Sequence, residues 1–330
     1  MRLWGSCFLA WICASAFCVS AQLNGCWDIR VHENRVEEFN EPGGARPRAW
    51  WLKIEGADTA APKGEFVSAF SGNLNPIEEI SIRGNELVFG FRPKQRLIGG
   101  GEGGTRHLVY RARLVGDRLE GTYEVEGQNQ PPTKWTGVRA PVIPDKDDGT
   151  WRESETLALF NGRDLSGWHP VVPEREASWS ARNGVLIATG RGSDLISDKK
   201  SWNFKLHLEY KLPPGSNSGI GLRARYEVQI MDGYGQPPDS HSTGALYSRI
   251  APSENASKPA GEWQIYDIRL VGRQVTIVLN GKTVIDKGEI EGLTAIASDP
   301  NEGEPGALIL QGDHGRVEFR NILMTLLVKM

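Results

Sequence analysis

Short runs of residues that alternate between apolar and polar side chains dominate this chain and restrict it to β-strands. In FKLHLEYKL (204–212) every even position is apolar or aromatic, and every odd position is Lys, His or Glu. Side chains alternate across a strand, so such a run can bury one face and solvate the other. No helical period of useful length competes, and the sequence therefore predicts an all-β, antiparallel fold. The runs are separated by turn dipeptides typical of hairpins: Gly84-Asn85, Gly116-Asp117, Gly272-Arg273 and Asn280-Gly281.

The chain of 330 residues is long enough for two domains, each with its own core. Residues 22–140 predict a smaller antiparallel β-barrel or β-sandwich domain of unknown role, and residues 157–330 predict a second β domain. Between them, the proline-capped and charged stretch 141–156 is typical of a linker. The stretch GGGEGG (99–104) lacks the Lys-Ser/Thr ending of a phosphate loop, and predicts a hairpin loop. The interior of the first domain is predicted to hold Trp27, Trp50, Trp51 and Trp135.

Residues 1–21 have the pattern of a signal peptide. Arg2 supplies the positive charge, Phe8 to Val19 form a short apolar core, and Val19-Ser20-Ala21 offers small residues to a signal peptidase. No later apolar run reaches the length of a membrane helix, so no transmembrane segment is expected. We therefore expect an exported protein, either periplasmic or secreted.

The cysteines and the net charge limit what the exported protein can bind. Three of the four cysteines, Cys7, Cys13 and Cys18, lie in the predicted signal peptide. Only Cys26 would remain, so no internal disulfide framework is predicted. The stretch 23–26 loosely resembles a lipoprotein cleavage box, but Asn24 fits that box poorly, and a buried thiol is favoured over a lipid anchor. A net charge of −3 gives no reason to expect nucleic acid as a partner.

The run IGLRARYEVQIM (220–231) carries the most informative polar face. Its even positions are all apolar or aromatic, whereas its odd positions include Arg223, Glu227 and Gln229. These three side chains are predicted to share one face, opposite the core, whether the run is one strand or two joined at a bend. Strict alternation would place Asp232 on the apolar side, where an ionised carboxylate is costly. A bulge at the end of the run would bring Asp232 back beside Gln229.

Six motifs, in order along the second domain, resemble those of the DUF1080 family, also called the 3-keto-disaccharide hydrolase domain. The resemblance covers essentially all of residues 157–330 and none of the first domain. It implies a concanavalin A-like β-sandwich, or jelly roll, whose concave sheet face binds carbohydrate. The motifs are LFNGRDLSGW (159–168), SNSGIGLR (216–223), YEVQIMD (226–232), GALY (244–247), KPAGEWQIYDI (258–268) and LQGDHGRVEFRNI (310–322).

The resemblance also implies cleavage of glycosides that are already oxidised at sugar C3. A ketone at C3 acidifies the C2 proton, so that a base can form an enolate, and the C1 leaving group is then expelled with help from an acid. Water adds to the resulting enone, and the net reaction is hydrolysis. Such a site needs a base near C2, an electrophile or metal at the ketone oxygen, and an acid near the leaving group.

Carried onto this sequence, the resemblance gives three catalytic candidates. Glu227 is the expected base or metal ligand, with Asp232 beside it. His314 is the second candidate for proton transfer, since the ordinary pKa of histidine lies near neutral pH. No cofactor is demanded by the spacing, although a divalent cation would find oxygen ligands in Glu227, Gln229 and Asp232. The candidates for substrate binding are Asn217, Arg223, Gln229, Lys258, Gln311 and Asp313.

Three functions remain open, and all three take a carbohydrate as partner. The first is an enzyme that cleaves 3-keto-glycosides by elimination and hydration or by direct hydrolysis. The second is a conventional glycoside hydrolase that uses Glu227 and Asp232 as nucleophile and acid. The third is a non-catalytic carbohydrate-binding protein. A serine hydrolase built from Ser216, Ser218 and His314 is not favoured, because the sequence has no strand–turn–helix nucleophile elbow. The oligomeric state is not determined by the sequence.

Overall fold

The regular structure is almost entirely β-strand, as the alternation predicts. The computed structural model describes residues 20–32, 48–68, 72–92, 107–173 and 178–330. The GGGEGG stretch, and the predicted signal peptide apart from its last two residues, lie outside these ranges. Within them, no helix is long and apolar enough to cross a bilayer. The chain divides into two compact units, one with residues 20–32 and Ala49–Ala140, the other with Pro141–Met330.

The first unit is a single antiparallel sheet. Gly84 and Gly116 have φ angles of +61° and +63°, which glycine adopts without strain, and they form two of the predicted hairpin turns. The strands are hydrogen-bonded in the order β4-β3-β2-β1-β9-β8-β7-β6-β5. They are β1 (Gly25–His32), β2 (Ala49–Glu55), β3 (Lys63–Val67), β4 (Leu74–Pro76), β5 (Glu79–Arg83), β6 (Glu86–Phe91), β7 (Leu108–Val115), β8 (Arg118–Val125) and β9 (Thr133–Arg139).

This sheet curls around an aromatic core. Phe66 in β3 and Phe89 in β6 are far apart in the strand order, yet their ring centroids are 5.1 Å apart. Trp50 in β2 contacts Tyr110 in β7 in the same way, with centroids 5.8 Å apart. A flat sheet could not bring these rings together, so the first unit has the curvature of a barrel.

The tryptophans of the first unit lie on two faces of the sheet. Trp27, Trp50 and Trp135 belong to the buried core cluster, as predicted. Trp51 is also fully buried, but it follows Trp50 in a strand and therefore lies on the opposite face. The prediction of one shared interior was wrong for Trp51.

The stretch predicted as a linker, 141–156, packs against the second unit. Asp145 accepts hydrogen bonds from Trp202 Nε1 at 2.7 Å and from Asn203 Nδ2 at 2.9 Å. From Trp151 onward the chain forms a strand of that unit. The charged residues that suggested a solvated linker thus find partners far away in the sequence, which local composition cannot reveal.

The second unit consists of two antiparallel sheets. The larger has the order β12-β13-β22-β15-β18-β19-β20, with β10 also paired to β22, and the smaller has the order β11-β14-β21-β16-β17. The strands are β10 (Trp151–Ala158), β11 (Trp168–Pro170), β12 (Trp179–Arg182), β13 (Val185–Ala188), β14 (Leu195–Ser201), β15 (Phe204–Lys211), β16 (Asn217–Leu222), β17 (Tyr226–Met231), β18 (Gln264–Val271), β19 (Gln274–Leu279), β20 (Lys282–Glu289), β21 (Gly306–Leu310) and β22 (Val317–Lys329).

The two sheets pack face to face, which confirms the predicted sandwich. In β15 the even residues are buried and the odd residues are partly exposed, as the alternation in 204–212 predicts. The hydroxyl of Tyr266 in β18 donates to the backbone carbonyl of Gln229 in β17 at 2.7 Å, and so joins the two sheets. Residues of β17 that face this core, such as Val228, are fully buried. The remaining residues of β17 lie on the outer face of the smaller sheet.

Candidate functional site

The hairpin of β16 and β17 places Glu227 and Gln229 on the outer face of the smaller sheet. The pairing register is unbroken from Leu222 opposite Tyr226 to the far end of β17. Glu227 therefore lies opposite Gly221, and Gln229 lies opposite Gly219. The two side chains share one face, as the alternation predicts. They are nevertheless almost completely buried, with 4% and 2% of their surface exposed.

The carboxylate of Glu227 lies directly over Gly219. A Cβ atom added to Gly219 would be 2.6 Å from Glu227 Oε1. The carboxylate thus leans from its own position, opposite Gly221, toward the next pair along the hairpin. The backbone N–H of Glu227 donates to Thr294 Oγ1 at 2.9 Å and fixes the strand at this point. The missing side chain at Gly219 is what leaves room for the carboxylate.

A row of polar side chains crosses the sheet beside this carboxylate. Ile309 in β21 pairs with Ile196 in β14 and with Gly221 in β16, so these three residues share the outer face. Alternation then brings the residues two positions away onto the same face. They are Asp194, Gln311, Gly219 and, across the hairpin, Gln229, and the three side chains among them are at most 8% exposed.

Two amide oxygens on this face lack a hydrogen-bond partner among the described residues. They are Gln229 Oε1 and Asn217 Oδ1, and both atoms are buried. Asn217 shares the face because it lies two residues before Gly219 in β16. A buried acceptor without a partner costs about 1–3 kcal/mol. A ligand hydroxyl that donated to either oxygen would offset this cost.

His314 reaches the site from the loop after β21. Its Nδ1 pairs with Asp313 Oδ1, and the following Gly315 packs against the backbone of Asn217. Partial burial disfavours the imidazolium, but the Asp313, Asp194 and Glu227 carboxylates outweigh this and raise the pKa of His314 to about 9. At neutral pH the site therefore contains an imidazolium that interacts electrostatically with the Glu227 carboxylate.

Tyr247 lies on the side of Glu227 opposite to His314. The segment that contains it runs alongside β17, where Tyr247 N–H donates to the Glu227 carbonyl at 2.9 Å and Leu246 pairs with Val228. This register puts the Tyr247 side chain on the same face as that of Glu227. Burial, and then the Glu227 and Asp239 carboxylates, raise the pKa of Tyr247 to about 12.

Asp232 does not join this face, and the bulge that would have brought it there is absent. The register of β16 and β17 shows no shift. Asp232 Oδ2 instead accepts a hydrogen bond from Gly215 N–H at 2.8 Å, and its own N–H donates to the Ser216 carbonyl at 3.0 Å. The carboxylate thus holds the turn before β16, a role that satisfies it without a change of strand register.

Arg223 also lies away from Glu227, contrary to the prediction from alternation. It is fully buried in the turn between β16 and β17, where its φ angle is +53°. Its guanidinium donates to the Trp202 carbonyl at 2.6 Å, and the remaining bonds go to Gly272 and Asn203. Burial lowers the pKa of Arg223 to about 10, so the group remains charged inside the fold at neutral pH. Alternation failed here because the strand ends before residue 223.

Lys258 is occupied locally, and the predicted metal ligands are not assembled. The Lys258 ammonium donates to the Trp263 carbonyl at 3.2 Å. Of the proposed ligand set, Glu227 and Gln229 are neighbours, but Asp232 is held by Gly215. Across the described ranges, no three His, Cys, Asp or Glu side chains form a group that could hold a metal ion.

The structure thus gathers six of the predicted site residues and adds two that sequence reasoning missed. Those gathered are Asn217, Glu227, Gln229, Gln311, Asp313 and His314. The additions are Asp194 and Tyr247. Tyr247 ends the GALY motif, and that motif was the available signal for it. Asp194 had no local signal, because only the pairing of β14 with β21 places it beside Gln311.

The sequence model of the family described as "3-keto-alpha-glucoside-1,2-lyase-like domain" matches residues 155–325. The chain belongs to this family. The match confirms the resemblance drawn from the six motifs, and it contains every residue of the candidate site.

Three individual proteins resemble this chain at 25–27% identity. A 3-keto-disaccharide hydrolase of Bacteroides thetaiotaomicron is 25% identical over 166 residues, which are 39% of this chain and 57% of that relative. This chain therefore spans a little over half the length of that protein. Two proteins of Parabacteroides distasonis, named as proposed glycosyl hydrolases, have similar structures. One is 27% identical, with 61% of this chain and 94% of that chain covered and a TM-score of 0.47. The other is 26% identical, with 52% and 100% covered and a TM-score of 0.42.

The raised pKa of His314 predicts that stability falls as the pH rises. The native imidazole, with a pKa of about 9, holds its proton more tightly than an unfolded histidine of pKa about 6.5. Its contribution to the free energy of unfolding is complete below pH 6.5 and is lost as the pH rises toward 9. The effect will be smaller than the shift implies, since the side chain is 52% exposed and solvent screens it. Urea denaturation midpoints between pH 6 and 9 should fall for the wild type and change less for His314→Gln. Parallel curves for the two proteins would contradict this account.

Proposed function

We propose that the protein is an exported enzyme that cleaves glycosides carrying a ketone at C3, by removal of the C2 proton, elimination of the C1 substituent and hydration. The observation that carries the proposal is the Glu227 carboxylate over Gly219, with a charged imidazole close by. Membership of the family supports the choice of reaction. Export rests on the pattern of residues 1–21.

Glu227 is the base in this mechanism. It takes the C2 proton, and the electron pair of the C2–H bond forms the C2–C3 double bond while the ketone oxygen becomes an enolate. Because Glu227 is 4% exposed, little water competes with the substrate for its carboxylate oxygens. A positioned base of this kind contributes about 10²–10⁴-fold to rate.

His314 is the electrophile at the ketone oxygen. Its imidazolium would donate a hydrogen bond to that oxygen as negative charge develops, which is where electrostatic stabilisation has most effect. Asp313 orients the ring through Nδ1 and leaves Nε2 available for the substrate. The raised pKa keeps the imidazole charged at neutral pH, as this role requires.

The orphan acceptors Gln229 Oε1 and Asn217 Oδ1 would bind sugar hydroxyls. Gln311 extends the polar row and offers further hydrogen bonds, whereas Asp194 Oδ1 accepts from the backbone N–H of Gly312 at 3.1 Å. All of these groups suit a neutral sugar whose hydroxyls donate. They would discriminate against a substrate that lacks those hydroxyls, because the buried acceptors would remain without partners.

A conventional glycoside hydrolase receives less support. That reading needs two carboxylates flanking the scissile bond, and Asp232 was the proposed partner of Glu227. Asp232 is held by Gly215 and is absent from the outer face.

Cleavage of the signal after Ala21 fits the structure better than lipid anchoring at Cys26, because anchoring would remove Leu23, which is fully buried in the core of the first unit.

Glu227→Gln should abolish most of the activity on 4-nitrophenyl 3-keto-glucosides. The amide keeps the shape of the side chain but cannot accept the C2 proton, so we expect kcat to fall about 10²–10⁴-fold with KM changed little. The release of nitrophenol, measured with and without chelator, gives both constants.

Asp232→Asn is the matched control and should retain kcat within a few-fold. Equal losses in the two variants would instead support the conventional pair of carboxylates. Sugar binding by a wild type that cleaves none of these substrates would support a binding protein.

Gly219→Ala should displace the Glu227 carboxylate without unfolding the hairpin. Gly219 does not need a positive φ angle, and the first atom that a Cβ would meet is the end of a flexible side chain. We expect kcat to fall about 10- to 100-fold, since a small misplacement of a catalytic group is costly.

Gly221→Ala is the control for this variant, because it lies on the same face of the same strand. The three atoms nearest to its Cβ would belong to Ile309, at 3.0 Å, and to Ile296, and none of them to Glu227. We expect lower stability with kcat largely kept. If both alanine variants lost kcat equally, the position of the carboxylate over Gly219 would not be what matters.

A further inference from the structure

We propose that Tyr247 is the general acid that protonates the leaving-group oxygen at C1 and later activates the water that adds there. This inference rests on the proposed function, since it assigns a role within the same reaction. It gives the leaving group an acid of its own and leaves His314 at the ketone oxygen, so that each step has a separate residue.

The order of the three residues across the sheet carries this inference. His314 follows β21, and its loop packs on the start of β16. Glu227 lies in β17, the next strand, and Tyr247 lies in the segment beyond β17. Glu227 is therefore between the other two, and both feel the charge of its carboxylate.

This order matches the order of the reacting atoms in the substrate. The ketone is at C3, the acidic proton is at C2, and the leaving group is at C1. If the central carboxylate takes the C2 proton and His314 contacts the C3 oxygen, the residue on the opposite side lies by the C1 substituent. On the outer face beside Glu227, that residue is Tyr247.

The surroundings of Tyr247 suit an acid that gives up its proton only during the reaction. Its ring packs edge-on against His241, with centroids 5.0 Å apart and an interplanar angle of 87°. Burial, and then the Glu227 and Asp239 carboxylates, raise the pKa of Tyr247 and so favour the neutral phenol. Asp239 is itself held ionised by the backbone N–H of His241 and the hydroxyl of Ser242.

The protons balance over the whole cycle. In the elimination, Glu227 gains the C2 proton, the C1–O bond breaks as the C1–C2 double bond forms, and the phenol proton moves to the departing oxygen. In the hydration, the Tyr247 phenolate takes a proton from water as the water oxygen bonds to C1, and Glu227 returns a proton to C2. Both residues end in their starting states, and the sum is hydrolysis.

The test compares two substrates that differ in their need for an acid. Methyl 3-keto-glucoside has a poor leaving group, whereas 4-nitrophenyl 3-keto-glucoside has a good one that departs without protonation. Tyr247→Phe should reduce kcat/KM about 10²–10⁴-fold on the methyl compound and at least tenfold less on the nitrophenyl compound. His314→Gln should reduce both by similar factors, because it acts at the ketone. Tyr234→Phe, which removes a phenol oxygen from a side chain that is 56% exposed, should change neither.

Equal losses on the two substrates for Tyr247→Phe would overturn the assignment, even with a fully active wild type. A loss confined to the methyl compound in His314→Gln would give the acid role to His314 and would also overturn the assignment. If the wild type cleaved neither substrate, the proposed function would fail, and this role would fail with it. Circular dichroism spectra that match the wild type exclude misfolding as the cause of a loss.

Discussion

Glu227 can place its carboxylate over β16 only because that strand carries no side chain at Gly219. Gly219 and Gly221 lie opposite Gln229 and Glu227, and any Cβ at Gly219 would collide with the carboxylate. Glycine is unfavourable in a strand interior, so two of them at alternate positions indicate close approach by another group. Over Gly219 that group is the Glu227 carboxylate, which lies in the middle of the polar row.

This arrangement also explains how charge is kept on a face that is nearly closed to water. A buried carboxylate is costly unless other charges and hydrogen bonds offset the loss of hydration. His314 supplies a positive charge near Glu227, and Asp313 and Asp194 in turn favour that charge. Removal of one member would leave the others uncompensated, so the charges of this face act as a set.

Much of the fold and part of the site could be predicted because alternation is a local property. Alternation in 204–212 and 220–231 fixed which residues face the core, and the turn dipeptides located the hairpins. The same argument failed for Arg223, because the strand had already ended. It also failed for Asp232, because no bulge forms and the carboxylate accepts a hydrogen bond from Gly215 N–H. Asp194 depends on a pairing between distant segments, which no local pattern contains, and Tyr247, although it ends the GALY motif, is placed beside Glu227 only by the pairing of that motif with β17. The family resemblance supplied the chemistry, and it could not supply these contacts.

The central claim is that Glu227 breaks the C2–H bond before the glycosidic bond is lost. It is tested most directly with a 3-keto-glucoside that carries deuterium at C2, by following aglycone release and the mass of the sugar product. The account predicts slower release than from the unlabelled substrate, because the C–H bond is broken in the reaction. Equal rates, with all of the deuterium retained at C2, would show that C2 takes no part and would contradict the account.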